Sequence, residues 1–207
     1  YADITCFSFN GNKIITSGGG GGIVTHSKER AKHIKHLSTT ARIGIDYIHD
    51  EVGYNYRMTN LEAAVGCAQI ERLEEFCKTK KVIAEIYTEF AKRHSTIFEP
   101  FPSVDYAVGN NWLSGVLFKK NIAPPEEVDA IIKKIRNAMR AKGIDIRPFW
   151  TPIHQQPAHQ DALYSDLSIT ESLWSRVLTL PCSTNIKKTE LLLVLTELES
   201  CLTEFLP

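Results

Sequence analysis

The sequence predicts an α/β protein made of two regions joined by a long helix. Three observations predict this class: short β-like runs open the chain, one amphipathic stretch spans 59–93, and strands alternate with helices after it. With 207 residues, 43% of them hydrophobic, the chain is long enough to bury a core. We therefore expect a sheet-forming region at 1–58, a linking helix at 59–93 and a small α/β domain at 94–207.

Charge and cysteine content exclude several classes of protein. The 24 basic and 24 acidic residues give a formal charge of zero, whereas a nucleic-acid binder would show a basic excess. No apolar run approaches the roughly 20 residues of a membrane span, so we expect no membrane partner. The five cysteines are odd in number and form no C-x-x-C pair, which predicts neither a disulfide framework nor a zinc site. We expect reduced thiols, a cytoplasmic protein and no bound metal.

The first region begins with short strands around a glycine run. Residues 4–9, 13–16 and 23–26 are typical of strands, and Gly18 to Gly22 form the turn before the last of them. Such a run is typical of a flexible hairpin tip, although free N–H groups in glycine-rich loops can also cradle phosphate. The run lacks the G-K-[ST] ending of a P-loop and any G-x-G-x-x-G context that opens a helix, so both nucleotide motifs are rejected.

Capping signals predict the helices of this region. Ser27 can cap a helix over 27–37. A polar connector follows at 38–56, and a loop of this length in a compact domain is usually functional or disordered. Thr59 to Glu62 read T-N-L-E, a capping box, so the long helix should start there and continue to about residue 93.

The second region alternates strands and helices. Proline in the first turn and Gly143 after the last periodic residue bound one helix from Pro125. The remaining predicted elements are strands at 112–118, 144–149 and 177–180, and helices at 170–176 and 188–205.

Four segments together resemble one family. They read S-F-N-G-N-K-I-I-T-S-G-G-G-G-G-I-V-T at 8–25, H-D-E-V-G-Y-N-Y-R-M-T-N-L-E-A-A-V-G-C-A-Q-I at 49–70, R-P-F-W-T-P-I-H-Q-Q-P-A-H at 147–159 and L-P-C-S-T-N-I at 180–186. In order and spacing they resemble the DegT/StrS nucleotide-sugar aminotransferases, fold-type-I enzymes that use pyridoxal phosphate. The resemblance covers nearly the whole chain. It implies the end of the large-domain sheet, the long linking helix and the small C-terminal domain of such an enzyme.

The resemblance implies a cofactor site around Lys13. Lys13 would carry pyridoxal phosphate as a Schiff base, since a neutral amine is a good nucleophile and can afterwards transfer a proton. Ser8, five residues earlier, matches the family serine that hydrogen-bonds the cofactor phosphate. Outside the motif, Lys13 would be an ordinary surface lysine and Ser8 an ordinary strand serine.

Further site residues follow from the G-x-N-x-R-M and P-[LI]-H-x-Q-P elements. Asn55 matches the family asparagine that reaches the phosphate in the neighbouring subunit's site. Arg57 could pair with that phosphate, hold a substrate carboxylate or only brace the loop, because guanidinium suits either anion. His154 matches a position near the sugar-nucleotide entrance, although a lone histidine is more often structural. Weaker candidates are Tyr54, Trp150 and Gln155.

The implied reaction moves an amino group from glutamate to a 4-keto nucleotide sugar, in a homodimer with shared active sites. The all-glycine turn, with Gly19 where many members carry an acid, resembles the branch that serves legionaminic-acid-type sugars. A dehydratase of the same family would replace Lys13 with histidine, which argues against that activity. A non-catalytic or regulatory domain derived from the family remains the alternative.

The position of Lys13 implies that other parts of the site lie elsewhere. Family members carry the aspartate for the pyridine nitrogen and the ring-stacking aromatic before the lysine, and Asp3 is too close to Lys13 to be that aspartate. We therefore expect a C-terminal portion of a longer enzyme. These 207 residues alone should hold the cofactor poorly.

Overall fold

The chain divides into two compact units. A computed structural model describes residues 2–102 and 104–206, with side chains throughout except at positions 125 and 126. Unit 1 is Tyr1–Cys77 and unit 2 is Lys78–Pro207. Within the described ranges, no helix combines the length and the apolar content that crossing a bilayer would need.

Unit 1 contains two small antiparallel pairs of strands and two helices, followed by the start of a third. Its elements are β1 (Thr5–Ser8), β2 (Gly21–Val24), α1 (Lys28–Ser38), β3 (Arg42–Ile43), β4 (Ile48–His49), α2 (Asn60–Ile70) and the start of α3 (Leu73–Arg93). Strand β1 pairs with β2, which places Ser8 opposite Gly21, and β3 pairs with β4 in a short hairpin.

Both predicted helix caps of unit 1 are confirmed. The Ser27 hydroxyl accepts a hydrogen bond from the backbone N–H of Arg30 and starts α1. Thr59 and Glu62 form the predicted capping box, each side chain bonded to the backbone N–H of the other. Local capping chemistry therefore fixes where the helices begin.

The strand expected at 13–16 is wrong, because this segment folds into a turn. The backbone N–H of Lys13 bonds the Asn10 carbonyl at 3.0 Å. Both the Thr16 hydroxyl and the Ser17 N–H bond the Phe9 carbonyl, each at 3.0 Å. Polar groups of the segment are thus satisfied locally rather than by a neighbouring strand.

The sequence predicts one helix over 59–93, and the structure has two, α2 and α3, separated by a turn at 71–72. The N–H of Arg72 bonds the Gln69 carbonyl at 3.1 Å, a tight spacing that ends α2. The Arg72 guanidinium then binds Glu75 and lies 4.8 Å from the centre of the Phe76 ring, which supports the first turn of α3.

Unit 2 is a four-stranded antiparallel sheet with helices. Besides the rest of α3, its elements are β5 (Phe98–Glu99), β6 (Ser114–Phe118), α4 (Pro125–Ala141), β7 (Arg147–Pro148), 3-10 turns at Ile153–Gln155 and Pro157–His159, α5 (Ser168–Trp174), β8 (Val177–Leu180) and α6 (Lys188–Phe205). The strand order is β5–β6–β8–β7. The strand expected at 144–149 shrinks to β7, because the N–H of Ile144 closes the end of α4 on the Met139 carbonyl at 3.1 Å.

One hydrophobic core holds unit 2 together. Side chains from the sheet and from α3, α4 and α6 form a single buried cluster, in which Phe90, Phe98 and Phe118 make successive ring contacts. Lys80 is buried at the edge of this unit and donates to the carbonyls of Trp112 and Cys182, at 2.9 and 2.6 Å. Hydrogen bonds of this kind satisfy a buried ammonium group.

Unit 1 buries far fewer apolar side chains than unit 2. Among its described residues, the buried apolar side chains are Ala41 and Phe76, and the polar Ser17 is buried as well. Large apolar side chains of both strand pairs are about half exposed. They include Phe7, Ile23, Val24, Ile43 and Ile48. Hydrogen bonds and caps, rather than a core, define this unit.

Candidate active site

The lysine and serine predicted for the cofactor flank one tight turn of unit 1. Ser8 is the last residue of β1, and its hydroxyl oxygen accepts from the backbone N–H of Asn10 at 3.4 Å. Lys13 closes the turn on the Asn10 carbonyl at 3.0 Å, and its side chain is partly buried. The backbone turn therefore places Ser8 and Lys13 on the two sides of Asn10.

The glycine run lets the backbone after this turn approach other segments closely. Gly18 and Gly20 have φ values of 86° and 73°, a region that favours glycine. A Cβ on Gly20 would lie 2.9 Å from Met58 Cε, and one on Gly19 would lie 3.4 Å from Glu62 Oε1. The segment before α2 can thus lie against the run because these positions lack side chains.

Asn55 and Arg57 lie in a second part of unit 1. They line an open cavity of about 1090 Å³ formed with the β1–β2 pair and α1, and both side chains are exposed. A bridge between Thr39 and Asn55 fixes the backbone there, and the rings of Tyr54 and Tyr56 stack at 5.0 Å. The residues that line this cavity in the described chain do not include Lys13 or Ser8.

Lys35 and Glu62 also line the cavity, and the sequence predicted neither as a residue of the site. Lys35, in the last turn of α1, adds a second cation to the lining that includes Arg57. The backbone N–H and the hydroxyl of Thr59 donate to the Glu62 carboxylate and hold its pKa below its ordinary value. The capping box signalled Glu62 as a structural residue, whereas nothing in the sequence order connects Lys35 to Arg57.

His154 lies in unit 2 and is held by two side chains. Its Nε2 is 2.8 Å from Glu171 Oε1, and its ring centre is 4.8 Å from that of Tyr164. Only 7% of the side chain is exposed, and Nδ1 is buried with no hydrogen-bond partner among the described residues. In the neutral tautomer that donates Nε2–H to the carboxylate, Nδ1 carries the lone pair and can accept a hydrogen bond. Glu171 lies 17 positions away, and no motif signalled it.

Relatives of known name match nearly the whole chain. The chain is 33% identical over 189 residues to the putative pyridoxal phosphate-dependent aminotransferase EpsN of Bacillus subtilis, covering 89% of this chain and 46% of that protein. It is 34% identical over 184 residues to the GDP-perosamine synthase of Escherichia coli O157:H7, covering 87% and 47%. The chain thus spans about half the length of these curated relatives.

A solved structure shares the fold. PseC of Helicobacter pylori, an aminotransferase involved in pseudoaminic acid biosynthesis, superposes with a TM-score of 0.86 at 21% identity. The superposition covers 99% of this chain and 54% of PseC, and it confirms the fold expected from the sequence. The sequence profile of the DegT/DnrJ/EryC1/StrS aminotransferase family matches residues 1–199. This chain therefore belongs to the DegT/DnrJ/EryC1/StrS aminotransferase family.

Proposed function

We propose that the chain forms part of a pyridoxal-phosphate-dependent nucleotide-sugar aminotransferase. The reaction transfers an amino group from glutamate to a 4-keto nucleotide sugar, in cytoplasmic amino-sugar biosynthesis. One observation carries the proposal: Lys13 and Ser8 flank a single tight turn, directly before the glycine run, in a chain of an aminotransferase family. The GDP-perosamine synthase relative supports a nucleotide sugar as substrate.

The donor groups of this turn suit pyridoxal phosphate. The Lys13 amine can hold an aldehyde covalently, and the Ser8 hydroxyl can donate to a phosphate oxygen. When bound, the cofactor supplies the electron sink for the transfer. The role of Lys13 is then to move a proton through Nζ, and that of Ser8 is to fix the phosphate end.

The side chains of Asn55 and Arg57 are exposed, as they must be to reach a site on a second copy of the chain. We infer that they act in the site of a second copy, where Asn55 contacts phosphate and Arg57 an anion. Large apolar side chains in the same segment support this, since Ile45, Tyr47 and Val52 are each more than three-quarters exposed. Burying such side chains against a partner is favourable.

For His154 we propose a contact with the nucleotide sugar near the site entrance. Glu171 holds Nε2, which leaves Nδ1 as an acceptor for a hydroxyl of the substrate. Because Nδ1 is buried, this contact requires the surrounding segment to move when substrate binds.

The test begins with Lys13 in the native protein. Borohydride reduction in the presence of pyridoxal phosphate, followed by peptide mapping, should label Lys13. Lys13→Ala should abolish both the label and amino transfer from glutamate to a panel of GDP- and UDP-4-keto sugars. Lys28→Ala, at an exposed lysine of α1, should leave both unchanged. Label on a different lysine, or transfer that survives Lys13→Ala, contradicts the proposal.

The shared site can be checked in the same assay. Lys13→Ala and Asn55→Ala protomers are each expected to be inactive alone, and a mixed dimer holds one intact site if Asn55 acts across the interface. Recovery of transfer on mixing supports the shared site. Two inactive variants that stay inactive after subunit exchange would show that Asn55 acts within its own chain.

A non-catalytic domain of the same family is the second candidate. The exposed apolar side chains of the 39–58 segment favour it, since they suit a binding surface without any chemistry. The lysine label separates the two: a domain that only binds has no need of a cofactor on Lys13.

A further inference from the structure

Two histidines and two carboxylates meet on unit 1, outside the residues assigned to the cofactor or the substrate. His33 and His36 are three residues apart on α1 and so share one face of the helix. Asp50 and Glu51 follow β4 directly. His36 Nε2 lies 2.6 Å from Asp50 Oδ1, and His33 Nε2 lies 2.9 Å from Glu51 Oε2.

Backbone hydrogen bonds fix this meeting of helix and loop. The N–H of Ala41 bonds the His36 carbonyl at 2.9 Å, and the N–H of Asp50 bonds the Ala41 carbonyl at 3.3 Å. Ala41 is fully buried, and His49 Nδ1 lies 2.6 Å from the Thr40 carbonyl. The carboxylates therefore face α1 because the chain around Ala41 is anchored, and not only because charges attract.

The spacing of three of these groups suits one small cation. One ligand atom each from His36, Asp50 and Glu51 lies within 4.8 Å of the others. Ligands at about 2.0–2.2 Å from a zinc ion are themselves about 3–4 Å apart, so small side-chain rotations would seat the ion. Of the three ligands, Glu51 also lines an open cavity of about 670 Å³, from which water can reach the ion.

Charge also favours a divalent ion. With neutral imidazoles, the cluster carries two negative charges in adjacent positions of the chain. Arg30 lines the same cavity, but its guanidinium is paired with Asp3 at 2.8 Å.

We propose a divalent transition-metal site of the zinc class, with ligands from His36, Asp50 and Glu51. An imidazole with two carboxylates selects zinc over magnesium or calcium, which prefer oxygen ligands alone. His33 is a positioning residue, because its Nε2 holds the Glu51 carboxylate. The ion ties α1 to the segment that leads to Asn55. The pattern of cysteines predicted no zinc site because this one uses no thiolate.

Calorimetric titration of the 207-residue chain with zinc chloride at neutral pH tests the site. Cys6 and Cys67 are exposed and thiolates bind zinc, so the background is the double variant Cys6→Ser/Cys67→Ser. We expect one saturable site. His36→Ala and the isosteric Asp50→Asn should each weaken the zinc affinity by about tenfold or more. His33→Ala should weaken the zinc affinity by no more than these two variants do. His26→Ala, an exposed histidine outside the cluster, should change nothing.

Circular dichroism confirms that each variant is folded, and Asp50→Asn keeps the shape of the site if His36→Ala disturbs the helix. The absence of a saturable site overturns the proposal. Binding that survives both His36→Ala and Asp50→Asn also overturns it, as does magnesium binding of equal affinity. This site is independent of the proposed aminotransferase activity.

Discussion

The two units differ in what holds them together. Unit 2 packs its sheet and three helices around one continuous apolar cluster. Unit 1, within the described residues, buries Ala41 and Phe76 as its apolar side chains and turns many others outward. Its shape comes from caps, turns and backbone hydrogen bonds. The comparison shows why every residue proposed for the cofactor lies in unit 1: loops and turns position functional groups, whereas a core fixes the scaffold.

The largest effect should come from removing a core ring of unit 2. Phe118→Ala should lower the free energy of unfolding by about 3–5 kcal/mol, since the side chain is fully buried and contacts Phe98. Phe7→Ala, at a half-exposed ring of unit 1, should cost about 0.5 kcal/mol or less.

Urea unfolding followed by tryptophan fluorescence measures the first change, because all three tryptophans lie in unit 2. Far-UV circular dichroism measures the second. Similar losses for the two variants would show that unit 1 has a core comparable to that of unit 2.

Sequence reasoning predicted unit 2 better than the turns of unit 1, for a physical reason. Helices α4 and α6 and strand β8 follow apolar periodicity, and Gly143 ends α4 with a φ of 77°. Periodicity reports burial, so it fails where little is buried. The strand expected at 13–16 became a turn because the Thr16 hydroxyl competes for a backbone carbonyl.

The candidate site shows the same division. Motif order identified Lys13, Ser8, Asn55 and Arg57, and their roles stay proposals. It could not identify partners that come from distant positions. Glu171 reaches His154 only because the 3-10 turn and α5 fold together. The proposed site at His36 joins a helix to a loop, a pairing that depends on the backbone hydrogen bonds of the buried Ala41.

A second, smaller effect should separate backbone strain from packing in unit 1. Gly20→Ala should lower the free energy of unfolding by about 1–2 kcal/mol for the left-handed φ, plus a small further loss because the flexible end of the Met58 side chain, 2.9 Å from the new Cβ, must move. Gly44 has a φ of 58° and open space around it, so Gly44→Ala should lower the free energy of unfolding only through the unfavourable backbone conformation. Gly11→Ala has neither feature and should be neutral.

Hydrogen exchange of unit 1 amides ranks these three variants. The expected order of destabilisation is Gly20→Ala, then Gly44→Ala, then Gly11→Ala. Equal effects at the first two positions would mean that the contact with Met58 contributes nothing. A neutral Gly20→Ala would show that the run is a flexible tip rather than a fitted turn.

The smallest effect concerns a buried phenol of unit 2. The Tyr87 hydroxyl donates to the Pro181 carbonyl at 2.6 Å, and burial raises its pKa above the ordinary value of 10.0. A raised folded-state pKa contributes stability that is complete below pH 10.0 and is lost as the pH rises towards the folded value. At neutral pH, Tyr87→Phe should lower the free energy of unfolding by about 0.5–1.5 kcal/mol, because the hydrogen bond to Pro181 is lost.

Above pH 10.0 the wild type should lose stability faster than Tyr87→Phe, so the two curves converge. Tyr106→Phe, at a residue 89% exposed, should track the wild type throughout. Tryptophan-monitored urea unfolding across the alkaline range provides the measurement. If Tyr87→Phe falls as steeply as the wild type, the phenol is not protected by burial. The described tyrosines of unit 1, Tyr47, Tyr54 and Tyr56, are exposed, so among the described residues an alkaline loss that depends on a buried phenol belongs to unit 2.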